Sequence, residues 1–76
     1  MTEISFLDWV EQQEDQKRVV SAVIESRVFL AIPRGLQDGE VSEFGFYHTH
    51  TRETGRMKGK LKNVKTKLSE RFGWTQ

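Results

Sequence analysis

The chain of 76 residues has no cysteine and a single proline. No apolar run approaches the roughly 18 residues of a membrane span. The missing thiols exclude disulfide frameworks, cysteine-based zinc modules and thiol catalysis together, and they fit a reducing cytoplasm. Residues Met1 to Ser5 offer early acid in place of a basic segment followed by an apolar one, so the sequence predicts an unexported, cytoplasmic protein without membrane contact. Gly55 to Lys60 carries two glycines and a lysine but lacks the Walker spacing and the hydroxyl after the lysine. No pair of carboxylates is set by spacing for acid–base work. The expectation is a protein that is not an enzyme and takes no cofactor. With no internal repeat, low-complexity tract or linker, residues 1–76 read as one domain.

What the chain has is charge divided between its halves. Residues 1–43 hold nine acidic side chains against four basic ones, and residues 44–76 hold eight basic against two acidic, so the formal net charge of +1 is the balance of two large opposing terms. Such asymmetry points to an acidic partner, nucleic acid above all, or to two halves attracting each other.

A domain this short sits near the lower limit for a core without disulfides or metal. Its core has to draw on eight aromatic residues, Phe6, Trp9, Phe29, Phe44, Phe46, Tyr47, Phe72 and Trp74. Ser5 reads as a helix N-cap, with Ile4 and Trp9 as a hydrophobic staple, which predicts a first helix from about Phe6 to Gln13 burying Phe6, Leu7, Trp9 and Val10. A break near Glu14 or Asp15 leads to a second helix from about Asp15 to Ser26. Its stripe would be Val19, Val20, Val23 and Ile24, and the β-branched valines leave a strand beginning near Val19 as the alternative.

Val28 to Ile32 and Phe44 to Thr51 read as two strands of a hairpin, with Asp38-Gly39 as a type I′ turn signal. One bulged residue between Pro33 and Gly35 sets the register that pairs Val28 with His48, Leu30 with Phe46 and Ile32 with Phe44, placing the apolar side chains on one face. From about Thr54 to Phe72, the residues Met57, Leu61, Val64, Leu68 and Phe72 recur in steps of four, three, four and four, which predicts a long amphipathic helix. Gly73 would close it in the left-handed conformation, with Trp74 folded back on Leu68, and Gly59 would lie on its exposed side. The fold class expected is therefore α+β, with two N-terminal helices, one β-hairpin and a basic C-terminal helix.

On that helix Lys58, Lys62 and Lys65 flank the apolar stripe on one side, and Lys60, Lys67 and Arg71 on the other. Together with Arg52, Arg56, Tyr47 and His48 they form the candidate nucleic-acid surface. Lysines would neutralise phosphates with release of counterions, and Tyr47, like Phe29, would stack on bases. The competing assignment is that lysine stems cover the edges of a buried stripe while their charges stay in water. His48 and His50 share one face of a strand at a spacing that can chelate a metal. A third ligand would have to come from Glu43 or Glu53, and a histidine pair without metal is the preferred reading. Near pH 6.5 such a pair would add charge toward a phosphate.

Two short helices followed by a hairpin, over about residues 5–51, resemble the winged-helix excisionases and related small DNA-bending regulators of phage and mobile elements. The resemblance implies DNA binding through the second helix, which here offers Lys17, Arg18 and Arg27 among valines and acids. The function expected is a small nucleic-acid-binding or regulatory accessory protein. The alternative is an inhibitor or adaptor that meets a basic protein through the acidic side chains Glu3, Asp8, Glu11, Glu14 and Asp15.

Overall fold

A computed structural model of the chain describes residues 4–73. Ser5 caps the first helix, α1 (Phe6–Glu11), by accepting a hydrogen bond of 3.2 Å from the Asp8 N–H. The helix stops two residues earlier than its polar continuation suggested, and it buries Trp9 while leaving Leu7 73% exposed. The break at Asp15 is real. The Asp15 carboxylate accepts from the Lys17 N–H and starts a single 3₁₀ turn, Gln16–Arg18.

Beyond that turn the expected second helix is absent, and the chain runs into strand β1 (Val19–Val23). The β-branched alternative prevails because a neighbouring strand is available to use it. Four strands follow in chain order, β1, β2 (Val28–Ala31), β3 (Val41–His48) and β4 (Glu53–Lys60), all antiparallel in one sheet. The fold class expected from sequence, two N-terminal helices and one hairpin, is overturned by this sheet. With the second helix goes the resemblance to winged-helix excisionases, which rested on element order alone.

The predicted hairpin register is present, with Val28 opposite His48 and Leu30 opposite Phe46. Its connection differs from the one inferred. Residues 32–40 form a nine-residue excursion of two turns, closed by Leu36 N–H to Pro33 O at 3.3 Å and Glu40 N–H to Gln37 O at 3.2 Å. Of the two central residues of the second turn, only Gly39 has positive φ, 86°, so the turn at Asp38-Gly39 is not type I′. Ile32 falls just outside β2 and pairs with no strand residue, although it is buried. The Arg18 guanidinium fastens this excursion by donating to the carbonyls of Pro33 (3.0 Å) and Leu36 (3.3 Å).

The long C-terminal helix is also shorter than expected. Residues 53–60 are strand β4, paired along its length with β3, and α2 (Leu61–Phe72) begins where the strand ends. Met57 therefore reaches the core from the strand, while Val64, Leu68 and Phe72 reach it from the helix. Gly59 is a strand residue opposite Ser42 rather than an exposed helical one. Gly73 is right-handed (φ −68°), not left-handed, and its N–H bonds the Ser69 carbonyl. A Cβ there would collide with that same carbonyl, so glycine is required for closeness of approach. The expected contact of Trp74 lies outside the described residues.

The strand period of two divides the sheet's side chains between two cores. One face packs Val28, Leu30, Phe44 and Phe46 against Val64, Leu68 and Phe72 of α2. Each fully buried side chain of this size contributes about 1.5–3 kcal/mol relative to exposure. The other face packs Ala31 and Tyr47, with Phe29 and Val19, against Trp9 and Phe6 of α1. Among the described residues no helix is long and apolar enough to cross a membrane.

Candidate nucleic-acid interface

The chain turns directly from β4 into α2, so Lys60 at the end of the strand and Lys62 and Lys65 of the helix lie around one junction. On β4, Glu53, Gly55, Met57 and Gly59 are half-buried, while Thr54, Arg56, Lys58 and Lys60 are exposed. The exposed set lies on the α1 side of the sheet, because Arg56 opposes Gly45 and Lys58 opposes Glu43. Same-face neighbours on a strand stand about 6.8 Å apart, which spaces the three cations evenly. Lys60 is also the N-cap of α2 and makes no side-chain capping bond, and no acidic residue occupies the first turn. Lys62 is exposed and Lys65 half-exposed on the turns that follow.

Cations at a helix N-terminus oppose the helix dipole, at about 0.3–1 kcal/mol each near the surface. A phosphate at the same place would meet both lysines and uncapped N–H groups. Lys60, Lys62 and Lys65 border an open cleft of about 460 Å³ together with Asp38, Gly39 and Leu61. Lys67 and Arg71 lie on the opposite flank of α2, the one turned toward Glu53 of β4.

Ion pairs separate the arginines from the lysines. Arg56 binds Glu43 at 3.2 Å and Arg71 binds Glu53 at 2.5 Å, with the Arg71 guanidinium 5.0 Å above the Phe72 ring. A third pair, Arg34 with Asp15, lies within the acidic half. Among the described residues Lys58, Lys60, Lys62, Lys65 and Lys67 have no ion-pair partner.

Two candidates from sequence are placed elsewhere. Tyr47 does occupy the hairpin's second face, as its register required, but α1 covers that face. The ring is 2% exposed, and the hydroxyl donates to the Ile4 carbonyl at 2.7 Å. Phe29 is half-buried against Phe6, with ring centroids 4.8 Å apart. Neither ring is presented to a base. Arg52 ends the β3–β4 turn in the left-handed conformation (φ 60°), with its N–H on the His48 carbonyl.

His48 is 1% exposed and stacks on Phe72 at 4.7 Å between centroids. Its Nδ1 meets Thr51 Oγ1 at 2.8 Å, and its Nε2 is buried without a hydrogen-bond partner. Burial, and then the neighbouring His50, hold its pKa below the ordinary value, against the opposing pull of Glu53 and the Ser26 backbone. A neutral buried ring adds nothing to phosphate attraction. Among the described residues no three His, Cys, Asp or Glu side chains converge as a metal site.

Sequence reasoning missed a cleft of about 240 Å³ on the α1 face, where Gln12, Gln13, Glu14, Asp15, Glu43 and Arg56 surround Gly45. A Cβ at Gly45 would stand 3.4 Å from Gln13 Oε1 and 3.9 Å from Trp9. A glycine between two phenylalanines on a strand is a signal of such close approach.

Comparison with protein-family models, with curated proteins and with solved structures gives no match to this chain.

Proposed function

We propose that the chain is a small, non-enzymatic nucleic-acid-binding or regulatory accessory protein whose β4–α2 junction meets phosphates. The observation that carries the reading is that Lys60, Lys62 and Lys65 border one cleft at a helix N-terminus that has no side-chain cap and no acid in its first turn, with Lys58 exposed on the strand that leads into it. Local stability favours acids and hydroxyls at such a position. Lysines there cost stability in the isolated chain and gain it back when an anion arrives. The lack of cysteine suits a cytoplasmic setting.

Binding to labelled DNA and RNA at low and high salt tests the reading. An electrostatic binder loses affinity steeply as salt rises, and failure to bind at about 50 mM salt would remove it.

A second reading, an inhibitor or adaptor for a basic protein, keeps one specific support. Exposed Leu7 on α1 is followed by exposed Asp8 and Glu11, an apolar anchor inside an acidic rim. Capture of a basic protein that is abolished by Leu7→Asp would favour it.

A further inference from the structure

We infer that the acidic partner is a double-stranded nucleic acid held by its phosphates, without stacking on or reading of its bases. The inference rests on the nucleic-acid reading above and adds the class of partner.

Proteins that bind single strands join a cationic groove to exposed aromatic rings, and each stacked base adds about 1–3 kcal/mol. Here the described rings are committed to the two cores. Phe44 and Phe46 of the sheet pack against Phe72 of α2, Tyr47 packs against Trp9 of α1, and Phe6 and Phe29 cover one another at the edge of the second cluster. Beside the row Arg56, Lys58 and Lys60, the facing residues of β3 are Gly45, Glu43 and Val41. Among the described residues the ring that comes to this row is Trp9, which lines a cleft with Gly45 and Arg56 but is itself only 4% exposed.

Base reading in a groove favours paired donors, above all the arginine fork. Arg56 and Arg71 are held by Glu43 and Glu53, and the cations without ion pairs at the junction are lysines, which act as point charges. Asn63 is the one amide side chain of α2.

What remains is attraction to phosphate, and its ranking of partners follows charge density. A duplex presents one charge per about 1.7 Å of axis against one per about 3.4 Å for each strand, and each neutralised phosphate adds about 0.9 to the salt slope against about 0.7 for a single strand. A surface with lysines and, among the described residues, no stacking platform therefore ranks a duplex above either of its strands. DNA and RNA duplexes share this chemistry.

The test is anisotropy titration of the whole chain with labelled duplex DNA, duplex RNA and the separated strands, at about 50 mM salt and above. The expected result is a duplex at least about tenfold tighter than its strands, with unrelated duplex sequences agreeing within about threefold. Single strands that bind as tightly as the duplex overturn the inference and leave the broader reading standing. A tenfold preference among duplex sequences overturns it too, because phosphates carry no sequence. Absence of binding to every form removes the inference and the broader reading together. Asn63→Ala, exposed on α2, should leave the ranking unchanged, whereas Lys62→Gln, checked by a thermal melt, should weaken all duplexes alike.

Discussion

The ring of Phe46 lies over Gly55 of the neighbouring strand so closely that a Cβ at Gly55 would come within 2.8 Å of its Cε2 and Cζ atoms. The same ring touches Phe72 at 5.7 Å between centroids, so it has little room to retreat. Gly55→Ala should therefore destabilise the fold by about 1–3 kcal/mol through overpacking. Chemical denaturation would show the loss, and the paired change Gly55→Ala with Phe46→Leu should recover part of it. An alanine variant as stable as the parent contradicts this packing.

The helix α2 divides its work by face. Leu68 is fully buried, and Leu68→Ala should cost about 2–5 kcal/mol, whereas Lys67→Ala should stay within about 0.5 kcal/mol. Leu61, only half-buried at the first turn, should fall between them. Thermal melts that rank Lys67→Ala with Leu68→Ala would count against the arrangement.

That face was legible in the sequence, but its boundary was not. Val64, Leu68 and Phe72 keep a helical period. Met57 stands four residues before Leu61 and joins the stripe by number alone, although it reaches the core from β4. The inward positions of β4 are Glu53, Gly55, Met57 and Gly59, so glycines erase the apolar alternation that marks a strand. The hairpin register was readable because a slip by one residue would turn Phe44 and Phe46 away from the core. Coverage of Tyr47 was not, since a strand's own pattern does not say which helix docks on its second face. Sequence alone gives the lysines no place in space, and that Lys60, Lys62 and Lys65 border one cleft at the start of α2 depends on where the strand ends.

The Tyr47 hydroxyl bonds the Ile4 carbonyl, which ties the segment before α1 to the sheet. Tyr47→Phe should lower stability by about 0.5–1.5 kcal/mol and leave nucleic-acid affinity unchanged. A loss of affinity at unchanged stability would instead indicate a stacking role.

Acid should weaken the fold through His48. Its folded-state pKa is depressed, so below the ordinary value of 6.5 the unfolded chain binds the proton more readily than the folded one. The destabilisation begins as pH falls through 6.5 and levels off once pH passes below the depressed folded value. Denaturation midpoints between about pH 7.5 and pH 5 should fall with acid, and His48→Phe should flatten the trend. A variant that retains the parent's pH slope would assign the effect to other groups.

The central claim is that lysines around the β4–α2 junction contact phosphates. Its most direct measurement is the slope of log affinity against log salt for the parent and for the variant with Lys58, Lys62 and Lys65 changed to Gln. The account predicts weaker binding by a folded variant and a slope flatter by about 0.7–0.9 for each phosphate that the variant no longer neutralises. An unchanged slope and affinity in a variant that melts like the parent would contradict it.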